Sequence, residues 1–322
     1  MTAPLMARSP ASPTSPALPA SAGEEVRTRS LASNLLQSIR PSQWTKNLLV
    51  FAGLIFGEKL RDPRAVEEAV MAFVVFCLLS GAVYLINDVL DREVDRLHPL
   101  KKHRPVASGA VSPVAALTAA ALLVVASLGI AFAINTTFGL VAASYLVLLV
   151  LYSASFKHLV ILDVLTLAGG FVLRAYAGAV AINVAFSHWL LLLTLLLALF
   201  LSLSKRRAEL VTLAEGAVGH RPSLAEYSPY LLDQMIAVVT ASTLLAYAFY
   251  TISAETVQKF HTDRLLFTVP FPLYGIFRYL YLVHQRDGGG NPSEMLLTDR
   301  PLLICVALWG VAVIVILYAP WR

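Results

Sequence analysis

An all-α bundle of about nine membrane-spanning helices is the fold class this sequence predicts, and three observations predict it. Of the 322 residues, 57% are hydrophobic and only 14% are charged, whereas a soluble domain carries about a quarter charged residues. The apolar residues gather into runs of about 20, the length a helix needs to cross about 30 Å of hydrocarbon. Threading those runs in order leaves most Lys and Arg on one side, as the positive-inside rule requires.

The first stretch, residues 1–34, is rich in Pro, Ala, Ser and Thr and holds no apolar run long enough for a signal-peptide core. It reads as a disordered tail ahead of one transmembrane domain, residues 35–322. Nine spans follow at about 45–58, 67–87, 112–133, 137–154, 159–181, 187–204, 232–252, 264–283 and 301–319. The first is short and amphiphilic at its start. With the N-terminus cytoplasmic, the inner segments carry seventeen Lys and Arg, against five (Lys59, Arg61, Arg64, Lys259 and Arg264) in the outer loops. The two longest polar loops, 88–111 and 205–231, are then both cytoplasmic, where site residues are expected. Cys77 and Cys305 lie inside apolar runs without ligand-like spacing and read as packing residues.

The second span runs into Asn87-Asp88-Val-Leu-Asp91-Arg-Glu-Val-Asp95. At about 100° per residue, Asp88, Asp91 and Asp95 fall within roughly 60° of one another on a helix. Carboxylates so arranged repel unless a cation sits among them, and Mg²⁺ favours one or two carboxylates with phosphate oxygens and waters. Acids at a membrane edge are usually functional. Next comes His98-Pro-Leu-Lys101-Lys102-His103-Arg104, where Lys102 and Arg104 suit phosphate. A solvated helix end neutralised by Arg92 and Arg96 is the blander account of the same residues.

Other polar residues carry two accounts each. Lys46, with Gln43, holds a phosphate at the membrane entry or anchors the interface beside Trp44. Tyr152 and Lys157 contact a sugar or a phosphate, or flank the span. Arg174, well inside the fifth span, binds a phosphate or pairs with a carboxylate or helix carbonyls, because a buried guanidinium needs a partner. Lys205, Arg206 and Arg207 end the sixth span and close over a ligand or form a surface charge cluster. His98, His103 and His158 show no metal-ligand spacing. Asp287-Gly-Gly-Gly290-Asn-Pro292 reads as a loop.

Asn87-Asp88-x-x-Asp91-x-x-x-Asp95 with the basic stretch Lys101 to Gly109 resembles the first motif of the UbiA-type polyprenyl transferase superfamily, helical membrane enzymes whose Asp-rich motifs bind Mg²⁺ and a diphosphate. Four further stretches are similar to one branch, the decaprenyl-phosphate phosphoribosyltransferases of actinobacteria. They are Arg40-Pro-Ser-Gln43-Trp-Thr-Lys46-Asn47, Tyr152-Ser-Ala-Ser-Phe-Lys157, Asp163 through Gly169 to Arg174, and Lys205 to Leu210. The resemblance implies a UbiA-type fold and Mg²⁺-dependent transfer of 5-phosphoribose from phosphoribosyl pyrophosphate to a polyprenyl phosphate, for cell-wall arabinan. It implies metal binding and catalysis by Asp88, Asp91 and Asp95. Substrate binding falls to Gln43, Lys46, Asn87, Lys102, Arg104, Tyr152, Lys157, Asp163, Arg174, Lys205 and Arg206.

One departure bears on the acceptor. Superfamily members acting on aromatic rings carry a second D-x-x-x-D motif, but here Leu167 stands four residues after Asp163. Fewer acids and more bases in that half suit an anionic lipid phosphate. The expected partners are therefore phosphoribosyl pyrophosphate, polyprenyl phosphate and the plasma membrane, with no nucleic acid; a homo-oligomer is compatible with the sequence. An aromatic prenyl transferase and an ion-coupled transporter stay open as alternatives.

Overall fold

Capping residues and prolines set where the helices start. In the computed structural model, which describes residues 30–214, 224, 226–285 and 292–318, Asp62, Ser112 and Ser228 each accept a first-turn backbone N–H, and a proline follows each as the first helical residue. The cap satisfies an orphan donor, and the proline has none to satisfy. The helices in order are α1 (Leu31–Ser38), α2 (Ala52–Phe56), α3 (Pro63–Leu90), α4 (Arg92–Leu97), α5 (Pro113–Ile134), α6 (Thr136–Ala154) and α7 (Leu162–Ala181). They continue with α8 (His188–Ala214), α9 (Pro229–Ile252), α10 (Ala254–Phe260), α11 (Pro270–Gln285), α12 (Pro292–Thr298) and α13 (Arg300–Tyr318).

Eight segments among the described residues are long and apolar enough to cross a membrane: α3, α5 to α9, the Arg264–Gln285 stretch that contains α11, and α13. Each matches an expected span. The expected first span, about 45–58, takes a different form: a 3₁₀ helix, Pro41–Phe51, that continues into α2. That segment is not among the eight, so the ninth expected span does not appear as a long apolar helix. The helix α1 begins at Leu31, where Ser30 caps it by accepting the Ser33 N–H, four residues inside the stretch read as tail. Residues 1–29, Arg221 and the glycine loop 287–290 lie outside the described residues.

Close backbone approach locks the 3₁₀ segment against α7. A Cβ at Gly178 would stand 1.8 Å from the Val50 carbonyl oxygen, and one at Gly53 would stand 2.7 Å from Ala179 Cα. Only glycine fits at either place. Asn135 ties α6 to α7 by accepting the Phe138 N–H at 2.7 Å and donating to the Val180 carbonyl at 3.1 Å. Phe76 of α3 packs on Tyr145 of α6 with ring centroids 4.9 Å apart, in a core shared by α3, α6, α7 and the 3₁₀ segment. Helix α3 is the most enclosed span and α5 the least. The apolar side chains left outside, such as Leu122, Val125, Val238 and Ile304, are those a lipid environment would cover.

Candidate active site

The acidic stripe sits where α3 stops. Helical geometry ends at Leu90, and Asp91 caps the helix with φ −91° and ψ 4° before α4 resumes at Arg92. That break divides the stripe, which a continuous helix would have kept on one face. Asp88 and Asp95 are almost wholly buried, each 2% exposed, and turn toward Arg104, whose Nη1 donates at 3.3 Å to Asp88 and 2.6 Å to Asp95. Asp91 turns the other way and is bound by Lys157 from the turn after α6. Asn87 Nδ2 donates to the second Asp91 oxygen at 3.1 Å.

Arg40 completes the charge lattice, and sequence reasoning did not single it out as a site residue. It stands between α1 and the 3₁₀ segment with a left-handed backbone, φ 53° and ψ 66°, an arrangement a non-glycine residue adopts only under constraint. There its guanidinium binds Asp88 and lies 4.7 Å from the Tyr84 ring centroid. Burial pulls the Arg40 guanidinium below its ordinary value, and Asp88 opposes that shift. Two hints stood in the sequence: Arg40 opens one of the stretches that resemble the family branch, and the adjoining Pro41 forces it out of a helix.

A cavity of about 260 Å³ opens onto this lattice, lined by Gln37, Ser38, Arg40, Asp88, Leu100, His103, Arg104 and Pro105. Two cations, a buried acid and a histidine face one space. Lys102 is exposed outside this lining. Gln43 and Lys46 lie half-buried farther along the 3₁₀ segment.

The second half of the expected site holds its charges differently. Asp163 is fully buried, and both oxygens are engaged: Arg206 Nε donates at 2.7 Å and the Tyr227 hydroxyl at 2.8 Å. Arg206 is 1% exposed and also donates to Glu209 at 2.6 Å and to the Tyr152 hydroxyl at 3.2 Å. The expected surface cluster or closing lid is therefore corrected for Arg206, which is an interior clamp joining α6, α7 and α8. Lys205 keeps a partly exposed position 3.8 Å from Glu209. Tyr227, also missed by sequence reasoning, accepts the N–H of Ile161 at 2.7 Å. Ile161 is a β-branched residue at φ 67°, so that bond holds a strained backbone in place. Burial and the bond to Asp163 push the Tyr227 phenol up to about 12.

Arg174 has the partner that burial demands, though not the carboxylate or helix carbonyls expected. Its Nε donates to Asn47 Oδ1 at 2.8 Å, its Nη2 donates to the Tyr145 hydroxyl at 2.6 Å, and the rings of Tyr145 and Phe171 flank it. Asn47 is oriented by donating to Ser80 Oγ at 3.2 Å and to Cys77 Sγ at 3.3 Å.

Among the described residues no three His, Cys, Asp or Glu converge as a metal cage. A cage is not what magnesium on a pyrophosphate needs, because one or two carboxylates supplemented by phosphate oxygens suffice. The donor set fits that demand. Asp88, Asp91 and Asp95 supply carboxylates, and Arg40, Arg104 and Lys157, paired with them here, can turn to phosphate oxygens instead.

Comparison with known proteins gives the same fold and a narrower chemistry. Residues 48–298 match the model of the UbiA prenyltransferase family. A decaprenyl-phosphate phosphoribosyltransferase of Mycolicibacterium smegmatis is 34% identical, with 87% of this chain aligned to 91% of that protein. The enzyme of the same name from Corynebacterium glutamicum is 32% identical, over 90% and 88% of the two chains. A UbiA homolog from Archaeoglobus fulgidus, solved with GPP and Mg²⁺ bound, superposes with a TM-score of 0.67 over 88% of this chain and 99% of that one, at 21% identity.

Proposed function

This chain belongs to the UbiA prenyltransferase family, and from that premise we propose that it transfers 5-phosphoribose from phosphoribosyl pyrophosphate to a polyprenyl phosphate such as decaprenyl phosphate, releasing pyrophosphate. The observation that carries this reading is the division of charge. Acids and cations pair at the end of α3, where Asp88, Arg40 and Arg104 line the cavity, while the acid opposite, Asp163, is engaged at both oxygens inside the protein. One acidic half suits a single pyrophosphate donor, and a basic remainder suits an anionic acceptor. The full-length similarity to decaprenyl-phosphate phosphoribosyltransferases supports the same assignment.

In the proposed reaction, the bond from ribose C1 to the pyrophosphate oxygen breaks, and a phosphate oxygen of the lipid bonds to C1. That oxygen is already anionic near neutral pH, so no general base is needed. Arg40, Arg104 and Lys157 bind pyrophosphate oxygens and stabilise the charge that accumulates as C1 departs. The chemistry magnesium supplies when bound is further neutralisation of the leaving group, and Asp88, Asp91 and Asp95 are the residues that hold it, with Asn87 orienting Asp91. Gln43, Lys46, Lys102, Tyr152, Arg174 and Lys205 serve the phosphates and the ribose, while Arg206 and Asp163 position α7 and α8. Rate enhancement rests on placement of two anions at one carbon. The site faces the cytoplasm at the plasma membrane, where a soluble sugar donor is available, and the product supplies arabinan synthesis.

Detergent-purified protein incubated with labelled phosphoribosyl pyrophosphate and decaprenyl phosphate is expected to move label into the lipid fraction. EDTA should abolish transfer and excess Mg²⁺ should restore it. No labelled lipid at any metal concentration would overturn this function.

A further inference from the structure

The return path of the chain after α4 sets the depth of the cavity mouth. Val106 and Val111, past the 3₁₀ turn at Lys101–His103, are buried in one cluster with Ala82 and Leu85 of α3. Leu35 of α1 and Ile39 at its end pack on the same cluster. Ile39 comes so close that a Cβ at Gly81 would stand 3.0 Å from its own. Gly81 precedes Asp88 by seven residues, about 10 Å along an α-helix. The loop and α1 thus fold back over the apolar part of a membrane span and do not project away from it.

Apolar side chains in these segments are left uncovered. Leu97 and Leu100 are each 79% exposed, the highest value for a large hydrophobic side chain among the described residues and above Leu122, at 67%, on the open face of α5. Val94, one turn before Leu97 on α4, and Leu90 at the end of α3 are exposed too, while Asp95 beside them is buried. Helix α1 is inverted in the same sense: Asn34 and Ser38 are buried, and Leu31 and Leu36 are exposed. Gln37 and Ser38 of α1 line the cavity together with Leu100, so uncovered apolar residues from two separate segments flank its mouth. Such residues scattered singly need no account, but a group of them at one rim marks an interaction surface. Cations border the same residues. With the Arg104–Asp95 pair set aside, Arg92, Arg96, Lys101 and Lys102 stand against Glu93, four cations to one acid.

We propose that Leu90, Val94, Leu97 and Leu100, with Leu31 and Leu36 of α1, form a collar that docks into the bilayer leaflet at this end of α3, held by anionic phospholipid headgroups on Arg96 and Lys101. Apolar groups beside excess positive charge, immediately past a membrane helix, fit the zone where acyl chains meet anionic headgroups. The rim is also continuous with the apolar surface of α3, which favours the bilayer over a soluble partner. The cavity then opens at the level of the headgroups and not into bulk water. The collar's cations are separate from Arg40 and Arg104, which face the cavity, and its docking does not depend on which reaction the site performs.

Fluorescence quenching tests the collar without any assay of transfer. Leu97→Cys, and separately Val94→Cys, are labelled with an environment-sensitive nitrobenzoxadiazole thiol probe. Cys77 and Cys305 are buried, so unaltered protein taken through the same labelling gives the background. The full chain is placed in nanodiscs of phosphatidylcholine alone or mixed equally with phosphatidylglycerol, and thermal unfolding checks that each labelled variant is folded. In the mixed lipid, iodide in the buffer should quench either position about threefold or more weakly than it quenches the free probe–cysteine adduct, and nitroxide-labelled lipid should quench both. High salt, or phosphatidylcholine alone, should return iodide quenching toward that of the free adduct. Equal shelter in both lipids removes the anionic partner and overturns the proposal. Full access to iodide in both lipids also overturns it, and so does shelter from iodide without quenching by nitroxide lipid, which would mean that protein covers these residues.

Discussion

Replacing Arg206 with Met tests the interior clamp, because the structure predicts both a large loss and its order relative to other changes. Arg206 and Asp163 are 1% and 0% exposed, so the pair is fully desolvated. Breaking a buried ion pair by removing one partner costs about 3–5 kcal/mol, most of it from the charge left behind. In Arg206→Met, Asp163 keeps only the Tyr227 hydroxyl, which places the loss near the top of that range. In Asp163→Asn, Arg206 still donates to Glu209 at 2.6 Å, so its charge stays compensated and the loss should be about half as large. A shift of roughly 2–4 °C per kcal/mol for larger domains puts Arg206→Met about 10–20 °C below wild type in scan-rate-matched thermal unfolding in one detergent. The double variant Arg206→Met with Asp163→Leu should lose less than the sum of the single losses, since no charge is stranded. An Arg206→Met protein within about 2 °C of wild type, or an Asp163→Asn protein less stable than Arg206→Met, would refute the clamp.

Three further outcomes follow from the same geometry. Asp91→Asn removes the carboxylate that binds the buried Lys157; labelled-phosphoribose transfer should fall by about 10²–10³-fold, the scale of losing one preorganised electrostatic group, and Tm should fall as well, since a buried cation loses its acid. Gly178→Ala drives a Cβ toward the Val50 carbonyl oxygen and should lower Tm sharply, whereas Gly129→Ala, with nothing within 4 Å of the added Cβ, should match wild type or gain up to about 1 kcal/mol from helix propensity. Hydrogen bonding from Arg278 holds the Asp299 carboxyl below its ordinary value; the stability it adds is therefore fully present above the usual carboxylate pKa and lost as pH falls through the lowered one. The Tm of wild type should drop toward that of Asp299→Asn on acidification below about pH 4, and a gap between the two that persists undiminished into that acid range would count against the linkage.

Local rules made the spans and the acidic cluster legible in the sequence. Burying about 20 apolar residues is favourable in lipid whatever surrounds them, so eight expected spans reappear as long helices. Caps at Asp62, Ser112 and Ser228 act within one turn. The acids at 88, 91 and 95 follow from their own spacing, and their basic neighbours Lys102 and Arg104 from proximity in the chain.

Only the tertiary structure decided the partners, because an ion pair forms wherever folding brings two charges together, at any sequence separation. Lys157 reaches Asp91 across 66 positions, and Arg206 reaches Asp163 across 43, so Asp163 is occupied inside the protein instead of facing the cavity. Arg174 finds Asn47 across 127 positions, which leaves its charge without an acid. The 3₁₀ segment Pro41–Phe51 likewise meets α7 backbone to backbone at Gly178, a contact that no periodicity in either segment reports. Sequence alone determined which charges sit at the membrane edge; the packing of α3, α6, α7 and α8 decided which of them remain available to a substrate.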